Sequence, residues 1–136
     1  MRCHVQKTVA SCFAILRQLR SIRRSVPTPV YHTLVFALVL SRLDYGNAVL
    51  IGSPGYLYNR LQSVLNTAAR SIAGLRRLDH ITDTLASFHW LRAPERVRFK
   101  LATIVFRSLN GTAPSYLAPD RDVCPTCRQN DVCGPH

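Results

Sequence analysis

Residues 28–43 read TPVYHTLVFALVLSRL, and this stretch decides the fold. Thr28 and Pro29 indicate a helix start, because a hydroxyl can cap the first turn and a proline at that position needs no N–H partner. The helix of about 29–43 that follows is apolar nearly all round. Since a helix with this pattern is normally enclosed by its neighbours, we predict that it forms the buried centre of a helical bundle, with Val35 in the core.

Four further segments around this stretch have helical periodicity. Gly74 follows one of them as its expected C-cap, and Thr82 precedes the next as its expected N-cap. No segment alternates between apolar and polar residues over a useful length, so we predict no sheet. The chain is therefore expected to be all-α, a small basic bundle of about five helices. The four additional helices are predicted at about 4–24, 56–73, 82–90 and 94–109.

The aromatic residues of the last two predicted helices lie on apolar faces. Trp90, Phe99 and Phe106 are therefore expected to pack in the core, and stacking on nucleic-acid bases is the alternative. After Leu117 the helical pattern stops. We predict one helical domain over 1–118 and an irregular tail over 119–136, which suits a chain of 136 residues.

The positive charge belongs to the helical part of the chain. Residues 1–118 hold 16 Lys or Arg against four acidic residues, a net charge of +12, whereas 119–136 carry a net charge of −1. All of the basic residues are Arg except Lys7 and Lys100. The guanidinium fork matches phosphate oxygens, so this composition favours a polyanionic partner over a merely solvated face. The predicted phosphate contacts are Arg17, Arg20, Arg24, Arg60, Arg70, Arg96, Lys100 and Arg107.

The residues needed for nucleotide addition are missing from this sequence. That reaction requires two divalent metals held by closely set carboxylates, and the chain has no adjacent Asp pair. Asp44, one of the four acids in 1–118, is expected to serve as an ion-pair or capping partner. We therefore predict no catalytic residue, and no enzymatic activity of the chain on its own.

The one candidate metal site lies in the tail. Cys124 and Cys127 form one pair separated by two residues, and Cys133 and His136 form another. These four side chains make a ligand set that suits tetrahedral zinc, although the gap between the pairs is short. Two interpretations stay open, a zinc site and unpaired thiols, and no other cofactor is predicted.

The five cysteines are odd in number and follow no secretory signal, so a disulfide framework is not expected. We predict an intracellular protein, cytoplasmic or nuclear. The apolar run 30–40 is about half the length needed to cross a bilayer, so no membrane span is predicted.

Eight short motifs, in this order and spacing, resemble one known family. They are SRLDYGN (41–47), YNRLQ (58–62), NTAAR (66–70), DHIT (79–82), HWL (89–91), RVRFK (96–100), LNG (109–111) and APSYL (113–117). Together they resemble the C-terminal, thumb and post-thumb region of non-LTR retrotransposon reverse transcriptases of the LINE type, in particular the jockey-like ones. The similarity covers about 3–118. Gly46 stands where the family usually has Cys, Arg92 stands where it usually has Pro, and the tail does not match.

This resemblance implies a helical bundle that lies after the catalytic palm and contacts the RNA or DNA template–primer duplex through its phosphates. The remainder of the reverse transcriptase, including the palm, would then be missing from this chain. Two alternatives stay open: a degenerate transposon remnant without activity, and a basic amphipathic helical protein that binds anionic membrane or a protein partner.

Overall fold

A computed structural model of the chain describes residues 2–117, and this part is helical with no strand, which confirms the all-α prediction. A π-helical turn, Phe36–Leu40, joins α2 (Thr28–Val35) to α3 (Ser41–Asp44), so that the predicted second helix is one continuous segment and five helices result. Two 3₁₀ turns, Asn47–Leu50 and Ser115–Leu117, complete the described part. The α-helices are α1 (Arg2–Ile22), α2 (Thr28–Val35), α3 (Ser41–Asp44), α4 (Gly55–Ala73), α5 (Thr82–Ser87) and α6 (Ala93–Leu109).

The chain divides into two compact units, Met1–Leu101 and Ala102–His136, with the division inside α6. This division differs from the predicted boundary at 118. In the first unit, α1 packs against α4 and against the continuous segment from α2 to α3, and α5 packs against α4. The side chains that are most completely buried there include Cys12, Leu16, Tyr31, Val35, Val39, Leu40, Val64 and Leu65.

The segment that begins at α2 is only partly the buried centre that its composition predicts. Val35 is 0% exposed, as predicted, and Tyr31 and Val39 are equally buried. Val30 and Phe36, however, are 50% and 53% exposed, so the prediction of burial on every side is wrong. α1 and α4 pack against this segment, and Val30 and Phe36 lie on the part of its surface that these helices leave exposed.

The helix ends agree with the predicted capping in one case out of three. Gly74 has the left-handed backbone (φ 69°) of a C-cap, and its N–H donates to the carbonyl of Arg70, as predicted. Thr28 and Thr82 are not N-caps: the caps are Pro27 and Ile81, and neither helix start has a capping hydrogen bond from a side chain. Thr28 and Thr82 are themselves the first residues of α2 and α5, so each threonine belongs to the first turn of its helix.

The two cysteines of α1 differ sharply in their surroundings. Cys3 is exposed, whereas Cys12 is buried and its thiol lies 3.9 Å from the carbonyl oxygen of Val39. Burial raises the pKa of Cys12, and the charge of Arg42 opposes that rise in part. Cys12 therefore behaves as a small apolar core residue.

In the described part of the second unit, local hydrogen bonds terminate α6. The N–H groups of Thr112 and Ala113 both donate to the carbonyl of Arg107, at 3.0 and 3.1 Å. The hydroxyl of Ser108 donates to the carbonyl of Leu117 in the following 3₁₀ turn. The predicted tail over 119–136 lies outside the described residues, and so do the zinc candidates Cys124, Cys127, Cys133 and His136.

Candidate nucleic-acid interface

Most of the predicted phosphate contacts are accessible from solvent. Arg17, Arg20, Arg24, Arg60, Lys100 and Arg107 are exposed, and Arg70 and Arg96 are intermediate. Within residues 2–117 there are 16 Lys or Arg against four acids, so this surface is strongly positive. A guanidinium must be accessible from solvent if it is to contact a phosphate of a binding partner, and the exposed side chains meet this requirement.

The 3.6-residue periodicity of the first predicted helix places Arg17, Arg20 and Arg24 on one stripe, and this stripe is shorter in the structure. Arg17 and Arg20 lie one turn apart on the helix, but α1 ends at Ile22 and Arg24 follows in a turn. The N–H of Arg23 bonds back to the carbonyl of Arg20 at 3.3 Å as the helix ends. The three arginines predicted on this stripe therefore consist of a helical pair and one residue just beyond the helix.

Packing of α1 on α4 brings arginines together that are distant in the sequence. Arg20 and Arg70, which are 50 positions apart, line the same open cleft, whose volume is about 600 Å³. The cleft is formed by the C-terminal parts of α1 and α4 and by the residues that follow Gly74. Its lining residues are Arg20, Arg23, Arg70, Ser71, Gly74, Leu75 and Arg77. We call it the arginine cleft.

Arg23, which the sequence did not single out, holds the end of α4 in place. Its Nε and Nη2 donate to the carbonyls of Ser71 and Ile72 at 3.2 and 2.9 Å. Its guanidinium also lies over the ring of Tyr31, 4.8 Å from the centroid. A positive group at a helix C-terminus satisfies free carbonyls and complements the helix dipole, so Arg23 caps α4 from the turn that follows α1.

Arg96 does not belong to the phosphate-binding set in which we predicted it. Its Nε and Nη2 donate to Oδ1 and Oδ2 of Asp44, both at 2.8 Å, and its side chain is 16% exposed. Asp44 also accepts a hydrogen bond from Asn47, so it is the ion-pair partner that its position in the sequence suggested. This bidentate ion pair occupies the two N–H donors with which Arg96 could bind a phosphate. The structure therefore assigns Arg96 a role in stability.

Arg96→Gln is expected to lower the free energy of unfolding by about 1–3 kcal/mol, the range for hydrogen bonds to charged groups. Arg98→Gln is the matched control, because Arg98 is an exposed arginine of the same helix and has no acidic partner among residues 2–117. Thermal melting of both variants by circular dichroism measures the difference. If the two variants melted at the same temperature, the stabilising role of Arg96 would be refuted.

The remaining predicted residues do not extend the arginine cleft. Arg60 and Arg70 are both on α4, but ten helical residues separate them by about 15 Å along the axis and by roughly 80° around it. Lys100 and Arg107 are exposed on α6, Lys100 in the first unit and Arg107 in the second. The structure thus joins Arg20 and Arg70 of the predicted set, and it adds Arg23 and Arg77.

A smaller basic cleft of about 340 Å³ lies along the first half of α1, between Lys7 and Arg42. Arg42 donates a hydrogen bond to the hydroxyl of Ser11. Nearby in the sequence, Arg2 donates to the hydroxyl of Tyr56, and this hydrogen bond raises the pKa of Arg2. Lys7 and Arg42 are the only Lys or Arg residues that line this second cleft, whereas four arginines line the arginine cleft. The second cleft is therefore a weaker candidate for binding a polyanion.

Of the three aromatic residues predicted in the core, only Trp90 is buried. Its ring packs near Phe88, at 5.6 Å between centroids, and near His32 at 6.1 Å. Phe99 and Phe106 are 64% and 66% exposed, so the prediction that they are core residues is wrong. In the first unit, α6 buries only Ala93 and Val97, which leaves the side of the helix with Phe99 outside the core. Phe106 belongs to the second unit, where no described residue of α6 is buried.

Residues 2–117 contain no group of three or more His, Cys, Asp or Glu side chains placed to hold a metal ion. None of the helices in this part of the chain is both long enough and apolar enough to span a membrane. Comparison of the chain with protein-family models, with curated proteins and with solved structures gave no match.

Proposed function

We propose that this chain is a phosphate-contacting helical region of a non-LTR retrotransposon reverse transcriptase, which binds template–primer nucleic acid without reading its base sequence. The observation that carries the proposal is the arginine cleft, which four arginines and no acidic residue line. The exposed Arg17 and Arg24, close to Arg20 in the sequence, extend the positive surface beyond it. The part of the proposal that names the reverse-transcriptase family rests on the resemblance of the eight motifs to that family.

Phosphate contact rather than base recognition fits the chemistry of these side chains. Arg and Lys at a solvent-exposed surface neutralise backbone phosphates and release condensed counterions, a contribution that is independent of sequence. Reading bases requires side chains that reach base edges in a groove, usually from one helix with several polar residues in register. Arg and Lys are 16 of the residues in 2–117 against four acids, so affinity is expected to depend on salt far more than on base sequence.

For α1, the alternative of a membrane-surface helix is less well supported than phosphate contact. Such a helix needs a free apolar face to insert between lipids. The apolar face of α1, the most basic candidate, is used inside the protein, where Val5, Cys12 and Leu16 are almost completely buried. Binding a lipid surface through that face would require α1 to leave the bundle and lose these contacts.

Equilibrium binding to an RNA–DNA hybrid and to vesicles of equal parts phosphatidylcholine and phosphatidylserine tests the proposal directly. At equal ionic strength, we expect the hybrid to bind the protein at least tenfold more tightly than the vesicles, measured by fluorescence anisotropy and by co-sedimentation. Preferential binding to vesicles would support the membrane alternative, and binding to neither would support an inactive remnant.

We also propose that the chain does not polymerise nucleotides by itself, because it lacks an adjacent pair of carboxylates for the two catalytic metals. A primer-extension assay on a homopolymer template with Mg²⁺ or Mn²⁺ is expected to give no extended product. A full-length reverse transcriptase serves as the positive control. Extension that co-purifies with this chain through several columns would contradict the proposal.

A further inference from the structure

The arginine cleft contains more positive charge than the fold requires. Arg23 alone donates hydrogen bonds to the carbonyls of Ser71 and Ile72 at the C-terminus of α4. Capping of α4 therefore explains the position of this one arginine and not of the other three. Arg20, Arg70 and Arg77 have no ion pair within residues 2–117, where the pairing of Arg96 with Asp44 is the only one. Like charges that converge without a counter-charge repel one another, and an anion bound among them would relieve this repulsion.

Arg70 gives the second, independent sign of a ligand. Its Nε is buried from solvent and has no hydrogen-bond partner within the described part of the chain. A buried donor without an acceptor is rare in folded proteins, because the lost hydrogen bond to water is not replaced. Arg70 also lines the cleft, so a movement of its side chain toward an anion bound there would give this Nε an acceptor.

We propose that the arginine cleft is a built binding site for one phosphate group, with Arg20, Arg70 and Arg77 donating to its oxygens. Arg23 is a positioning residue, because it fixes the end of α4 through Ser71 and Ile72. The cleft volume of about 600 Å³ leaves room for a phosphate that is part of a longer chain. If that phosphate belongs to nucleic acid, this inference rests on the proposed function and names the point at which the backbone is held.

Inorganic pyrophosphate is the probe for the site itself. The full chain is melted in increasing pyrophosphate, with potassium chloride at matched ionic strength as the reference. A ligand that binds only the folded state raises the melting temperature according to its dissociation constant. We expect a rise in the parent protein and an equal rise in Arg92→Gln/Arg98→Gln, which removes two exposed arginines that do not line the cleft and do not belong to the predicted phosphate contacts.

Arg70→Gln/Arg77→Gln is expected to weaken pyrophosphate binding at least tenfold. Arg77→Gln alone, which changes an exposed side chain and leaves the partly buried Arg70 in place, is expected to weaken it about threefold and keeps the test valid if the double variant does not fold. A melting temperature of the parent protein that pyrophosphate does not raise above the chloride reference would overturn the site. Equal rises in the parent, the cleft variants and the control would also overturn it, since the anion would then bind elsewhere.

Hybrid binding by the same variants separates this inference from the proposed function. If a backbone phosphate occupies the cleft, Arg70→Gln/Arg77→Gln should reduce the salt dependence of hybrid binding by about one to two units of slope. Pyrophosphate binding with an unchanged hybrid slope would support a site for free phosphate and overturn its place in the nucleic-acid interface. Pyrophosphate binding with no hybrid binding in the parent protein would refute the proposed function and leave the cleft as a phosphate site.

Discussion

Val35→Asp is expected to unfold the first unit of the protein. Val35 is 0% exposed, in a core built by α1, α2 and α4, and no basic side chain is buried there to pair with a carboxylate. An unpaired charge in such surroundings costs several kcal/mol, and the free energy of unfolding of a typical domain is only about 5–15 kcal/mol. Circular dichroism should show the loss of the cooperative melting transition, or a fall in melting temperature by many degrees.

Val30→Asp is the matched control for this prediction. Val30 is on the same helix and is 50% exposed, so an aspartate there remains in contact with water. It also lies in the first turn of α2, where a negative charge is favourable to the helix dipole. We expect little change in stability. Equal melting curves for Val35→Asp and the parent protein would show that the assigned core is wrong.

The fold class could be predicted from local signals, because each of those signals acts within a few residues. Gly74 ends α4 with a left-handed backbone that glycine adopts without strain, and no distant contact is needed to anticipate this. The burial of Val35 follows from the apolar composition of its helix. Its neighbour Phe36 shows the limit of that argument, because a helix that is apolar all round is enclosed only if enough helices exist to surround it.

The candidate site was much less predictable, because it depends on which helices meet. Periodicity indicated that Arg20 and Arg70 avoid the apolar faces of their helices, and both do line a cleft. Nothing in the sequence indicated that α1 would pack on α4 in the register that unites them. The same holds for Arg96, whose pairing with Asp44 joins positions 52 residues apart.

Charge also gave no guide to the role of each arginine. Arg23 and Arg24 are adjacent and chemically identical, yet Arg23 caps α4 whereas Arg24 is exposed in the turn after α1. Adjacent residues in and near a helix point in directions about 100° apart, so only one of them can reach a given neighbour. Arg77 had no periodic pattern at all, because it lies in the turn after Gly74.

Replacing Arg17, Arg20 and Arg24 by Gln is expected to have the largest effect on nucleic-acid binding. Each of the three is exposed, and Gln retains the length of the side chain while removing its charge. We expect the variant to keep its helical content and to lose affinity uniformly for all sequences, because phosphate contacts carry no sequence information. The matched control is Arg42→Gln/Arg92→Gln/Arg98→Gln, which removes the same charge from exposed arginines outside the predicted set.

The measurement that tests phosphate contact most directly is a salt titration of RNA–DNA hybrid binding by the parent protein and both triple variants. The logarithm of affinity should fall with the logarithm of salt concentration by about 0.9 for each phosphate contact, and roughly four to six contacts are expected for the parent protein. The Arg17, Arg20 and Arg24 variant should have a slope that is smaller by about two to three, and the control a slope smaller by less than one. Binding by the parent protein that does not respond to salt, or identical slopes for the parent protein and the Arg17, Arg20 and Arg24 variant, would contradict a nucleic-acid interface built on these arginines.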